Sequence, residues 1–120
     1  MNKRPQEITA DFLKIMDQNL EDLQEGKTDL YLDIHQIAER LFIHPTHLSN
    51  TIKEVTGKSP CDICHEKTIS VAKKLLNDPQ LTISEIAFKL TYDPSNFTKY
   101  FKKLTGETSS RYRNKISADF

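Results

Sequence analysis

The sequence predicts an all-α fold: two helix-turn-helix subdomains joined by a linker helix, about seven helices in all. Three observations predict it. A stretch of 24 residues recurs at a constant offset of 49. Helix-capping residues, prolines and glycines fall at the same places in both copies. One amphipathic segment of helical period separates them. With 120 residues there is room for one compact unit or two very small ones sharing a core, and little for a deep substrate pocket.

The first helix is read from Ile8, Phe12, Ile15, Met16, Leu20 and Leu23, which recur at helical spacing. Pro5 suits its first turn and Gly26 its C-terminal cap. The connector after it carries Leu30, Tyr31 and Leu32, too short an apolar run for a strand.

The repeat begins next. Ile34 to Gly57 laid over Ile83 to Gly106 gives identities at Ile34/Ile83, Ile37/Ile86, Ala38/Ala87, Leu41/Leu90, Pro45/Pro94, Lys53/Lys102, Thr56/Thr105 and Gly57/Gly106. That is eight matches in 24 without a gap, where average composition gives about one or two. Each copy opens on a capping box, Asp33-x-x-Gln36 or Thr82-x-x-Glu85, which satisfies the free N–H groups of a new helix. A short helix runs to Leu41 or Leu90, and three residues turn the chain. Pro45 or Pro94 then starts a second helix where its missing donor costs nothing. Asp93 is a good N-cap for that helix and His44 a poor one, so the first copy is expected to fray more at this point. Thr-Gly ends both copies.

Between the copies, Ile63, Cys64, Ile69, Ala72, Leu75 and Leu76 are spaced for an amphipathic helix over Pro60 to Asn77, stopped by Asp78 and Pro79. The resulting division is 1–59 for the first subdomain with its N-terminal helix, 60–78 for the linker helix and 79–120 for the second subdomain.

A second helix of this kind is expected to bury an apolar face and to turn short hydrogen-bonding side chains toward a DNA major groove. In the first copy Leu48, Ile52 and Val55 point inward, leaving Thr46, His47, Ser49, Asn50 and Lys53 outside. In the second, Phe97, Phe101 and Leu104 point inward, leaving Ser95, Asn96, Thr98, Lys99, Lys102 and Lys103 outside. Asn50 and Asn96 have the donor and acceptor pair that matches an adenine edge, and Lys53, Lys102 and Lys103 are assigned to phosphates. Seventeen basic and seventeen acidic residues cancel, but they are not mixed. Between Pro5 and Asp33 eight acidic residues face two lysines, whereas between Pro94 and Lys115 six basic residues face Glu107 alone. The second copy is therefore expected to carry more of the salt-sensitive backbone affinity and the first relatively more of the base reading.

These segments, "IHQIAERLFIHPTHLSNTIKEVTGKSP", then "AKKLL", then "LTISEIAFKLTYDPSNFTKYFKKLTGETSSRYR", resemble the DNA-binding domain of the AraC/XylS family of bacterial transcription regulators. The likeness covers about Leu30 to Arg113, the closing "FKKLTGETSSRYR" is its most specific part, and the N-terminal helix fits the family's first helix. The resemblance implies that the two recognition helices enter successive major-groove segments on one DNA face, at a separation fixed by the linker helix. It puts base-facing positions at Thr46, Ser49 and Asn50 and at Ser95, Asn96, Thr98 and Lys99. It implies a short, sensor-free member or the C-terminal piece of a longer regulator, a monomer on double-stranded DNA, with RNA polymerase as a further partner. Where the family usually has Gly after the first helix of each unit, this chain has Phe42 and Thr91, so both turns are expected to differ in backbone detail. Ser109 stands where a proline is common, and Ile63 where an aromatic is expected.

"CDICH", residues 61–65, has the form of a haem attachment site. Haem attachment needs export, and the polar start "MNKRPQEI" has no apolar segment to direct it, which points to the cytoplasm. Zinc needs four ligands, and His44 and His47, the candidates to complete a set with Cys61 and Cys64, sit at the start of another helix. Cys64 falls on the buried stripe of the linker helix as a small core hydrophobe. Cys61 is expected near the surface, at a helix N-terminus, as a candidate reactive thiol. No cofactor, metal, membrane segment or catalytic set is expected, and no nucleophile, base and third group can be assembled. The reading from another class is a helical protein-interaction module docking through the acidic face around Asp17, Glu21 and Asp22.

Overall fold

The computed structural model describes residues 4–118; Met1–Lys3 and Asp119–Phe120, which the outer subdomain boundaries take in, lie outside the described residues. Among the described residues there are seven helices and no strand: α1 Pro5–Gln24, α2 Ile34–Arg40, α3 Pro45–Thr56, α4 Pro60–Leu76, α5 Ile83–Lys89, α6 Pro94–Thr105 and α7 Ser109–Ala118. They form two lobes along an axis of 53 Å, against 29 and 24 Å in the other directions.

Helix α1 buries Ile8, Phe12, Met16, Leu20 and Leu23 along one stripe. It also buries Asn19, whose amide has a structural task. Nδ2 donates to the Leu30 carbonyl at 2.8 Å, and Oδ1 accepts from the Leu32 N–H at 2.9 Å. The connector is thereby tied to α1 as a neighbouring strand would be, which satisfies a backbone that has no ladder of its own.

The capping box at Asp33 and Gln36 is complete, and Thr82 Oγ1 accepts from the Glu85 N–H at 3.0 Å. Both turns end their first helix alike. The Phe42 N–H reaches the Glu39 carbonyl and the Ile43 N–H the Ala38 carbonyl; Thr91 repeats this on Phe88 and Tyr92 on Ala87. This is the paired closure of a Schellman motif, whose penultimate residue must adopt positive φ. Phe42 has φ 57° and Thr91 φ 70°. The expected backbone difference is therefore absent: the chain makes the turn that glycine would make, with side chains that disfavour it. Gly57 and Gly106 close the recognition helices at φ 76° and 87°.

Two cores result. Ile37, Ala38, Leu48 and Ile52 pack under α1 with Leu32 and Ile63, and Ile86, Ala87, Leu90, Phe97 and Phe101 pack with Ala72 and Leu76. Helix α4 is thus shared, its first half belonging to one core and its last half to the other, and Val71 lies against both. It ends one residue earlier than the sequence suggests, with Asn77 as its cap.

Candidate nucleic-acid interface

Helix α3 is anchored by Leu48, Thr51 and Ile52, and α6 by Phe97 and Phe101, with Leu48, Ile52, Phe97 and Phe101 fully buried. The buried stripe on α3 occupies positions i, i+3 and i+4 and then stops. Val55 and Leu104, expected to point inward, are instead 38% and 42% exposed. Each lies in the last turn of its helix, which overhangs the core, so the third inward place is taken one turn earlier by Thr51 and by the half-buried Tyr100. Leu104 opens on a cleft along α4 lined also by Lys58, Asp62, His65, Glu66 and Ile69. Lys58 follows Gly57, the C-terminal cap of α3, so the cleft is bordered by the end of α6 and by the segment that leaves α3.

The outward ridges stand as two rows. Thr46, Asn50 and Lys53 are exposed and Ser49 half-buried on α3; Ser95, Asn96, Lys99, Lys102 and Lys103 are exposed and Thr98 half-buried on α6. Every residue assigned to bases or phosphates is accessible, and among the described residues none of these side chains is engaged in a hydrogen bond or ion pair with another. The helix starts differ from expectation in one respect. His44 Nδ1 accepts from the Thr46 N–H at 3.1 Å, so this residue caps α3, although sequence preference argues against it, much as Asp93 caps α6 through the Asn96 N–H.

The CDICH stretch opens α4. Cys61 is exposed, and Cys64 is half-buried against the first core, its thiol pushed up in pKa by burial. Tyr31 Oη, also pushed up by burial, shares hydrogen bonds with Cys64 Sγ and Thr68 Oγ1. His65 Nδ1 meets Tyr100 Oη at 2.7 Å, which engages the histidine of the apparent haem motif with a recognition helix. Burial raises the pKa of Tyr100 and of Tyr92, stacked on it at 4.8 Å between ring centres. Among the described residues no group of three or more His, Cys, Asp or Glu side chains is placed to hold a metal ion, and no helix is long and apolar enough to cross a membrane. The sequence gives little sign of these seam contacts; only the departure of Tyr92 and Tyr100 from their repeat partners Ile43 and Thr51 hints at them.

A family model described as a helix-turn-helix domain matches residues 37–115. YobQ, an uncharacterized helix-turn-helix-type transcriptional regulator of Bacillus subtilis, is 33% identical over 89 residues, covering 73% of this chain and 37% of that protein. The arabinose operon regulatory protein of Salmonella typhimurium is 27% identical over 92 residues, covering 76% of this chain and 33% of that protein. The chain thus spans only about a third of the length of these relatives. The fold matches the DNA-binding domain of AdpA, a global transcriptional factor solved in complex with a target DNA, at a TM-score of 0.74 and 18% identity, covering 91% of this chain and 95% of that one.

Proposed function

As the chain belongs to the AraC/XylS family of helix-turn-helix regulators, we propose that it is a bacterial, sequence-specific DNA-binding transcription regulator that places α3 and α6 in successive major-groove segments. The observation that carries this reading is the contrast across each recognition helix: Leu48, Ile52, Phe97 and Phe101 are fully buried, and the opposite face offers Thr, Ser, Asn and Lys without internal partners among the described residues. Short hydroxyl and amide side chains are the chemistry of base edges, and lysines that of phosphates. The scale agrees. A long axis of 53 Å exceeds one turn of B-DNA, about 34 Å, so two helices of one chain have room to address neighbouring grooves.

In this reading Thr46, Ser49 and Asn50 on α3 and Ser95, Asn96, Thr98 and Lys99 on α6 face bases. Lys53, Lys102 and Lys103 face phosphates. The protein works as a monomer in the cytoplasm, on an asymmetric site, without catalysis, and RNA polymerase is its further partner. Selection from a random duplex pool at two salt concentrations tests it. An asymmetric enriched motif, with affinity falling steeply as salt rises, is expected. A flat selection with binding no tighter than micromolar would transfer the assignment to a helical protein-interaction module.

A further inference from the structure

The two units are not merely strung on a rod. Across the seam between them the second unit is tied twice, once through each of its helices. On α6, Tyr100 Oη is bound to His65 Nδ1 of α4 at 2.7 Å, and its ring is braced by Tyr92 at 4.8 Å. On α5, Lys89 Nζ donates to the carbonyl of Gln24 at 3.0 Å, the last residue of α1. A cation there meets the negative end of a helix whose last turn has no basic residue of its own. Among the described residues Val71 is the hydrophobic side chain packed against both cores. The second core already packs α6 on the last half of α4; the two ties add directional polar contacts that reach the first half of α4 and the end of α1.

None of the four tie residues repeats in the other unit. Tyr100 aligns with Thr51, Tyr92 with Ile43 and Lys89 with Arg40, while His65 lies in the linker between the copies. The features that the copies share build a helix-turn-helix, whereas Tyr100 and Lys89, at positions where the copies differ, reach α4 and α1. We propose that His65, Tyr100 and Lys89 are positioning residues that fix the rotation and distance of α6 relative to α3, so that the chain selects the spacing of its two half-sites as well as their sequences. The proposal rests on the reading of the protein as a bipartite DNA binder. One inserted base pair shifts the second half-site by about 3.4 Å and turns it by roughly 35°, which a locked pair of helices cannot track and a hinged pair can.

The test uses the full chain and the duplex enriched from the random pool, with one base pair inserted or removed between half-sites. The wild type is expected to lose at least about tenfold in affinity on either spacing variant, the size of one or more lost base contacts. The double variant Tyr100→Phe/Lys89→Met keeps the ring stack and the aliphatic stem but removes both ties, and it should lose only about two- to threefold. His65→Ala should relax the spacing preference in the same direction, and His65→Gln, which restores a group able to hydrogen-bond the hydroxyl, should recover it; these two serve if the double variant does not fold. A merely structural role would lower affinity on all spacings alike and leave the ratio unmoved. An unchanged ratio in folded variants with the enriched motif intact overturns the tie proposal and leaves the regulator reading standing. Absence of any enriched motif for the wild type overturns both.

Discussion

The first unit is covered by a long N-terminal helix of its own, whereas the second is closed by the shared α4 and the shorter α7. Helix α1 lays Ile8, Phe12, Met16, Leu20 and Leu23 over α3, and the first core is almost wholly aliphatic. The second unit borrows the last half of α4, receives α7 through Tyr112, and fills its core with rings: Phe101 lies 6.0 Å from Phe97 and 5.7 Å from Tyr112 between centres. A pair of short helices cannot bury its apolar face alone, so each copy needs a third element. The difference shows that the same local unit can be completed from its N-terminal side or from its C-terminal side. It also shows why the two cannot separate cleanly: α4 is part of both cores.

The largest effect should come from truncating matched core positions. Phe101→Ala removes a fully buried ring and two aromatic pairs, and is expected to cost about 3 to 5 kcal/mol. Ile52→Ala, its repeat partner, sits under a full-length cover helix and should cost less, toward the lower end of about 2 to 5 kcal/mol. Urea unfolding of both variants checks this; an equal or greater loss for Ile52→Ala would mean that the borrowed cover is as effective as the dedicated one.

On DNA the comparison takes another form. Asn50→Ala should relax preference at one base position and cost about 1 to 3 kcal/mol on the enriched duplex, while Lys102→Ala should weaken all duplexes alike and reduce the salt slope by about 1. α6 carries Lys99, Lys102 and Lys103 where α3 carries Asn50, Lys53 and Glu54, so the salt-dependent share should lie mainly with the second unit. Equal losses for Asn50→Ala on enriched and random duplex would remove that residue from base reading.

The repeat extends one step further than its clear identities. Ser59 and Pro60 open α4 at the positions where Thr108 and Ser109 open α7. Ser59 Oγ accepts from the Asp62 N–H and Thr108 Oγ1 from the Arg111 N–H, both at 3.1 Å, so the caps are equivalent. The residues after the caps are not. Pro60 is buried without a donor to satisfy, whereas Ser109 is fully buried with its hydroxyl unpartnered, the one such side-chain atom among the described residues. Ser109→Pro places a residue suited to a first helical position and removes the orphaned hydroxyl, and should stabilise by about 1 kcal/mol in the same urea assay. A loss would show that the second unit cannot accept the start that the first one uses.

How much of this was legible depends on whether the signal is local. The caps at Asp33 and Thr82, the prolines at the helix starts, Gly57, Gly106 and the 49-residue offset are local chemistry, and the helices track them closely. The accessible faces of α3 and α6 come from period alone. The features that a linear reading misses are tertiary. Val55 and Leu104 fit the apolar period but lie where the helices overhang their cores. Asn19 interrupts an apolar stripe because it serves the connector, and the ties of His65 and Lys89 join residues 35 and 65 positions away. No window of sequence contains both partners.

The smallest effect concerns the two turns, and it separates the units by side-chain chemistry alone. Phe42 and Thr91 occupy the same left-handed place in the same hydrogen-bonded closure, both exposed to solvent, Phe42 at 94%. Neither residue gains packing there, so glycine would lose no contact. Left-handed backbone costs an L-residue about 1 to 2 kcal/mol, offset by about 0.4 to 1 kcal/mol for the greater freedom of glycine in the unfolded chain. Both Phe42→Gly and Thr91→Gly should therefore stabilise, by on the order of 0.5 kcal/mol. Thr91 is β-branched, with two heavy atoms on Cβ crowding the carbonyl, and so should gain the more of the two. Midpoints of urea unfolding at constant slope resolve the order. A larger gain at Phe42, or a loss at either, would mean that the exposed side chain makes a contact in the folded protein that outweighs its strain.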